Sequence, residues 1–252
     1  MTERPFDEHV ADLRRAGDLL AGAVGRVDPD AGVPSCPDWT VRELARHTGG
    51  VHRWATIHVA ESRTDVVDTD LEELVGGWPD DAALPVWLQS GVSDLADALV
   101  AAAPDLECFT FLPAPSPREF WARRQAHETT VHRVDAEQAG GGITPIDPGL
   151  AADGVSELLF GFASRPRKLL ADDERVLQLR ALDTGDEWTI RVGPHGGGVA
   201  SGAPERAHCE LAAPAADVYL LLWNRRDRSG LDVDGDPALL DEWADRVRVR
   251  WS

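Results

Sequence analysis

HETTVHRVD, residues 127–135, is the stretch on which the amino-terminal half of this chain turns. Read as a helix, it stacks Glu128, His132 and Asp135 along one face, because side chains three and four residues apart lie one above another. Just upstream, PAPSPREFW supplies the start of that helix. Ser116 fits the cap, Pro117 the first turn, and Glu119 the reciprocal position of a capping box. Further out the same signals recur. In PDWTVRE, Thr40 and Glu43 form a second capping box ahead of a helix over about 41–62. Apolar residues at three- and four-residue steps predict another helix near 6–26, and a third through VWLQSGVSDLADALVAA after a Gly-, Asp- and Pro-containing connection over about 63–80. Four helices of this length predict a bundle.

Beyond GGGITPIDP the pattern gives one more helix, roughly 148–163, and from about 174 its texture changes. RVLQLRAL and EWTIRVG alternate like strands around the DTGD turn, and HCELAA is a shorter strand. ADVYLLLWNRR reads as a buried helix, LDVDG as a strand, and PALLDEWADRV as a last helix with Asp236 as cap and Pro237 at its first position. The expected fold class is therefore α+β, with a helical bundle over residues 1–145 and a smaller α+β domain over 146–252.

Composition narrows the partners. Against 25 basic residues stand 44 acidic ones, and the resulting formal charge of −19 repels nucleic-acid phosphates and anionic membrane surfaces. No apolar run is long enough for a bilayer, and the charged start MTERPFDEHV lacks a signal core, so a cytoplasmic protein is expected. Cys36, Cys108 and Cys209 show no CxxC spacing and are odd in number, which fits free thiols.

Glu128 and His132 alone fit an ordinary solvated helix surface as readily as a site. His47, in LARHTGG, changes the balance: it follows Val41 and Leu44 at helical steps on the second helix, so it can face the bundle interior. A His, Glu, His set from two helices gives three ligands and leaves a fourth position open, as in catalytic zinc sites. His58, about 16 Å further along the helix, is too far to share that centre. His52 is turned about 140° from His47, and His127 about 100° from Glu128, so both stand as reserve ligands, groups that support a ligand from behind, or surface groups. Asp135 either orients a ligand, pairs with Arg124, or is a surface acid. His195 and His208 read as ordinary turn residues. DVDGDP starts like a calcium loop but has Pro237 where glycine is required and Trp243 where Glu should close the site. GPHGGG has no helix after it and reads as a hairpin or loose turn, and neither GxSxG nor a cysteine with a neighbouring base offers a protein nucleophile.

VPSCPDWTVRELARHTGGVHRWA, followed some eighty residues later by HETTVHRVDAE, resembles the mycothiol-dependent maleylpyruvate isomerase family. VYLLLWNRR and LDVDGDPALLDEW are similar to that family's carboxy-terminal domain. The resemblance implies a DinB-like metal-binding four-helix bundle, then an α+β domain comparable to sterol-carrier proteins. It implies His47, Glu128 and His132 as ligands of Zn2+ or another divalent metal, mycothiol as the thiol cofactor, and a small electrophilic substrate. An arginine of the carboxy-terminal domain is implied at the active site; Arg225 is the best match, with Arg226 and Arg228 as alternatives. The implied activity is thiol addition and elimination, giving cis-trans isomerisation or S-transfer. A metal-dependent hydrolase and a non-catalytic metal- or ligand-binding module are the rival expectations.

Overall fold

The computed structural model describes residues 4–114, 116–164 and 169–247, and the chain divides into two compact units. Pro5 to Thr144 form the first, and the chain from Pro145 onward forms most of the second. Among the described residues, no helix is long and apolar enough to cross a membrane.

The first unit is built on four long helices: α1 (Phe6–Val24), α2 (Val41–Ala60), α4 (Leu84–Ala101) and α5 (Pro117–Ala139). In the bundle α1 packs on α4 and α5, and α2 packs on the same two helices. Thr40 caps α2 in the expected capping box: its hydroxyl accepts from the Glu43 amide, while the Glu43 carboxylate accepts from the Thr40 amide at 2.6 Å. Ser116 likewise accepts from the Glu119 amide at the start of α5. The paired glycines of LARHTGG sit inside α2, where glycine ordinarily costs about 1 kcal/mol. Close packing explains the first of them, because a Cβ on Gly49 would lie 2.1 Å from the Trp87 ring of α4.

Three local features differ from expectation. The segment before α2 is a small hairpin, β1 (Gly32–Val33) paired antiparallel with β2 (Cys36–Thr40). The 63–80 connection contains a one-turn helix, α3 (Leu71–Leu74), capped by Asp70. A single tight turn over Asp81–Ala83 then leads into α4, which starts at Leu84.

The apolar core of the bundle falls into two clusters. One gathers Leu13, Ala55, Val59, Leu95, Leu99, Trp121 and Ala126. The other gathers Leu20, Val24, Val41, Leu44, Leu88 and Ala136. On both α2 and α5, the residues between these clusters in sequence include the polar ones singled out above.

In the second unit, α6 (Pro148–Ser156) runs on into wider π-type turns over Glu157–Ala163. A five-stranded sheet follows, of β3 (Arg175–Ala181), β4 (Glu187–Val192), β5 (Gly198–Ser201), β6 (Cys209–Ala213) and β7 (Asp232–Gly235). Their order is β5-β4-β3-β6-β7, antiparallel throughout except for β3 beside β6. GPHGGG is the turn of the β4–β5 hairpin, and β5 itself carries too little alternation to be read from sequence. Helix α7 (Ala215–Leu222) packs on α6, β3 and β6, and α8 (Ala238–Arg246) closes the described chain. Helix α8 begins one residue later than expected, after Pro237, with the Asp236 carboxylate accepting from the Ala238 amide at 3.1 Å.

Candidate metal centre

Helix α5 carries the site and is buried on every face between Trp121 and Glu137. Its buried side chains include Arg124, Gln125, His127, Glu128, His132, Arg133, Asp135 and Glu137. An ion in such surroundings costs several kcal/mol unless it is paired. The pairs are present: Arg124 with Glu128 at 3.1 Å and Arg133 with Glu137 at 2.9 Å, both four residues apart.

His47 of α2 and the Glu128 and His132 pair of α5 come together. His132 Nε2 lies 3.1 Å from Glu128 Oε1, and His47 Nε2 lies 3.5 Å from the same oxygen. One ligand atom from each of the three residues falls within 4.8 Å of the others. A tetrahedral ion with ligand bonds of about 2.0–2.1 Å holds its ligands about 3.3 Å apart, so these separations suit one. The buried His47 Nε2 has no hydrogen-bond partner, a cost that a cation at the meeting point would remove. The donor set therefore fits a divalent metal on its chemistry as well as its spacing.

The electrostatics are asymmetric. Burial pulls the His47 pKa below that of an ordinary histidine, against the attraction of Glu128. For His132 burial acts in the same direction, but the Glu128 charge and the hydrogen bonds the ring donates to Asp135 and Glu128 outweigh it and raise the pKa to about 9. Glu128 is disfavoured as an anion by its burial, yet His132, His47 and Arg124 together hold its carboxyl well below the usual range.

Around the three residues stand groups that the sequence left open or missed. Asp135 is no surface acid: it is fully buried, and its Oδ2 lies 3.0 Å from His132 Nδ1. Trp39, from β2, lies over both imidazoles, with ring centroids 4.7 Å from His47 and 6.0 Å from His132. Its presence was visible in PDWT, but its direction depends on the hairpin. His52 is not at the surface either; it is fully buried, bonds Thr129 Oγ1 at 2.8 Å through Nε2, and is pushed down to about 3 by burial. His127 is also fully buried and meets the ring of His9 edge-on at 6.1 Å. His58 is stacked on Trp121, far along α2 from His47 as expected. In the second unit His195 is exposed, and His208 accepts from the Val176 amide at 3.0 Å.

Comparison with known proteins gives this site a context. The sequence model of the mycothiol maleylpyruvate isomerase N-terminal domain matches residues 10–137, and that of the MDMPI C-terminal domain matches residues 149–242. The chain belongs to the mycothiol maleylpyruvate isomerase family. A crystal structure of the mycothiol-dependent maleylpyruvate isomerase superposes with a TM-score of 0.67 at 15% identity, covering 93% of this chain and 96% of that one. A mutant of that isomerase gives 0.63, at the same identity and coverage. At this identity the likeness speaks for the shared fold, a helical amino-terminal part followed by a sheet-containing unit. No curated protein matches the sequence significantly.

In this member of the isomerase family the three arginines after α7 differ in their commitments. Helix α7 ends where Asn224 takes a left-handed conformation, φ 60°, and the amides of Asn224 and Arg225 bond back to Leu221 and Leu220. That is a Schellman stop, and it turns the chain sharply before Arg225. Arg226 pairs with Asp217, and Arg228 bonds Asp241 at 2.9 Å on the surface. Arg225 is half-buried and donates from Nη1 to the Trp223 carbonyl at 2.7 Å.

Proposed function

We propose that this chain is a metal-dependent enzyme that uses mycothiol to add to, and leave from, a small electrophilic substrate such as maleylpyruvate. The observation that carries the reading is the convergence of His47 Nε2, Glu128 Oε1 and His132 Nε2 in a chain whose two halves both match the isomerase family. These three residues would hold zinc or another divalent ion. Bound there, the ion would supply Lewis acidity that lets a thiol lose its proton near neutral pH and act as a nucleophile.

The chain's own residues do the rest. Arg124 occupies Glu128 Oε2 at 3.1 Å, which leaves Oε1 as the ligand atom. Arg124, Glu128 and Asp135 are one buried cation and two buried anions. Their surplus negative charge would favour a cation beside them where water is scarce. Trp39 shields one side of both imidazoles from water. Arg225 is the residue we assign to the substrate carboxylate, through the paired hydrogen bonds a guanidinium makes. Addition of the thiolate turns the cis double bond into a single bond, rotation follows, and departure of the same thiolate restores the double bond as trans. A cytosolic location accords with a small soluble thiol as co-substrate.

The test is turnover of maleylpyruvate by zinc-loaded protein with and without mycothiol. Formation of fumarylpyruvate only when the thiol is present is the expected result. Equal turnover without any thiol would point to a metal-dependent hydrolase or another activity and overturn the proposal.

A further inference from the structure

We infer that Ser35 and Asp135 form a positioning pair that fixes the tautomer and aim of His132, so that the β1–β2 hairpin is part of the metal site's machinery. The inference rests on the metal reading above. An imidazole offers a lone pair at Nε2 only when its proton sits on Nδ1. Asp135 Oδ2 lies 3.0 Å from Nδ1 and accepts the proton there, so once a cation takes the place of the proton that Nε2 shares with Glu128 Oε1, 3.1 Å away, the ring would keep Nδ1–H and turn its Nε2 lone pair to the ion.

Asp135 is in turn fixed. Its second oxygen, Oδ1, accepts from the Ser35 hydroxyl at 2.5 Å, across 100 residues of sequence. Ser35 lies in the two-residue link between β1 and β2, in the hairpin that also presents Trp39 to His47 and His132. One small element therefore both covers the ligand imidazoles and locks the carboxylate that orients one of them. A carboxylate placed only to stabilise the fold would not need this alignment of Ser35 Oγ, Asp135 and His132 Nδ1.

Zn2+ affinity, measured by competition with a chromophoric chelator, and the visible absorption of Co2+-substituted protein test the idea. Asp135→Ala is expected to weaken Zn2+ binding about 10–100-fold and to alter the Co2+ bands, because outer-shell partners of metal-bound histidines have effects of that size. Asp135→Asn retains an acceptor and is expected to lose less, and Ser35→Ala to lose a few-fold, with the metal-free proteins keeping the wild-type circular dichroism. Should Asp135→Ala fail to fold, Ser35→Ala on the half-exposed hairpin carries the test alone. Zn2+ affinity within twofold of wild type and unchanged Co2+ bands in the folded variants would overturn the inference. His132→Ala, run alongside, separates the two readings: if it too binds Zn2+ normally, the metal site itself is wrong and this inference falls with it.

Discussion

Helices α4 and α5 stand in one bundle and are built on opposite chemistry. Helix α4 buries Leu84, Leu88, Val92, Leu95 and Leu99 in a single apolar stripe, which hydrophobic packing explains completely. Helix α5 buries Arg124, Glu128, His132, Arg133 and Asp135 as thoroughly, and packing explains none of them. A helix that accepts several buried ions must pair each one, and the pairs on α5 are of different kinds. Arg133 and Glu137 complete each other, with the Glu137 carboxylate also accepting from the Thr144 amide and hydroxyl. Glu128 and His132 instead leave an oxygen and a nitrogen turned toward His47 Nε2, an atom with no partner of its own. The first pair is finished as structure; the second, with His47, is a set that could hold a cation.

That contrast can be broken most severely at His132. Wild-type protein should retain about one divalent ion per chain, and His132→Ala should retain almost none after dialysis, as elemental analysis would record. The structural pair gives the next largest effect. Arg133→Ala should cost about 3–5 kcal/mol in denaturant unfolding, since it strands a buried carboxylate, while metal stoichiometry stays at the wild-type level. Loss of metal together with stability would mean that the two pairs are not separate. Arg225→Ala should leave metal content intact and lower kcat/KM about 10–100-fold, the worth of a charge-assisted hydrogen bond of about 1.5–3 kcal/mol. A parallel fall in metal content would reassign Arg225 to structure. Smallest is the cap of α2: Thr40→Ala should lower stability by about 1 kcal/mol in the same unfolding experiment.

The same contrast explains what could be read in advance. Thr40 with Glu43, and Ser116 with Glu119, are local signals, and both helices start where these residues place them. His47, Glu128 and His132 were legible as a candidate set because helical spacing alone brings the last two together and sets His47 facing inward. Asp135 and His127 could be read only as open alternatives, since a helix buried on all sides has no polar face to tell surface from interior, and the place of His52 on α2 was left open as well. Ser35 and Trp39 depend on a hairpin with one strand of only two residues, too short for any alternation to reveal. Beyond α7, three neighbouring arginines look alike in sequence, and their different partners emerge only in the structure: the Trp223 carbonyl for Arg225, Asp217 for Arg226 and Asp241 for Arg228.

Diffraction from crystals of zinc-loaded protein, recorded at the zinc absorption edge, tests the central claim most directly. The expected result is one strong anomalous peak about 2.0–2.2 Å from His47 Nε2, Glu128 Oε1 and His132 Nε2, with the fourth position held by water or added thiol. A peak elsewhere, no peak, or a fourth protein side chain closing the site would contradict it.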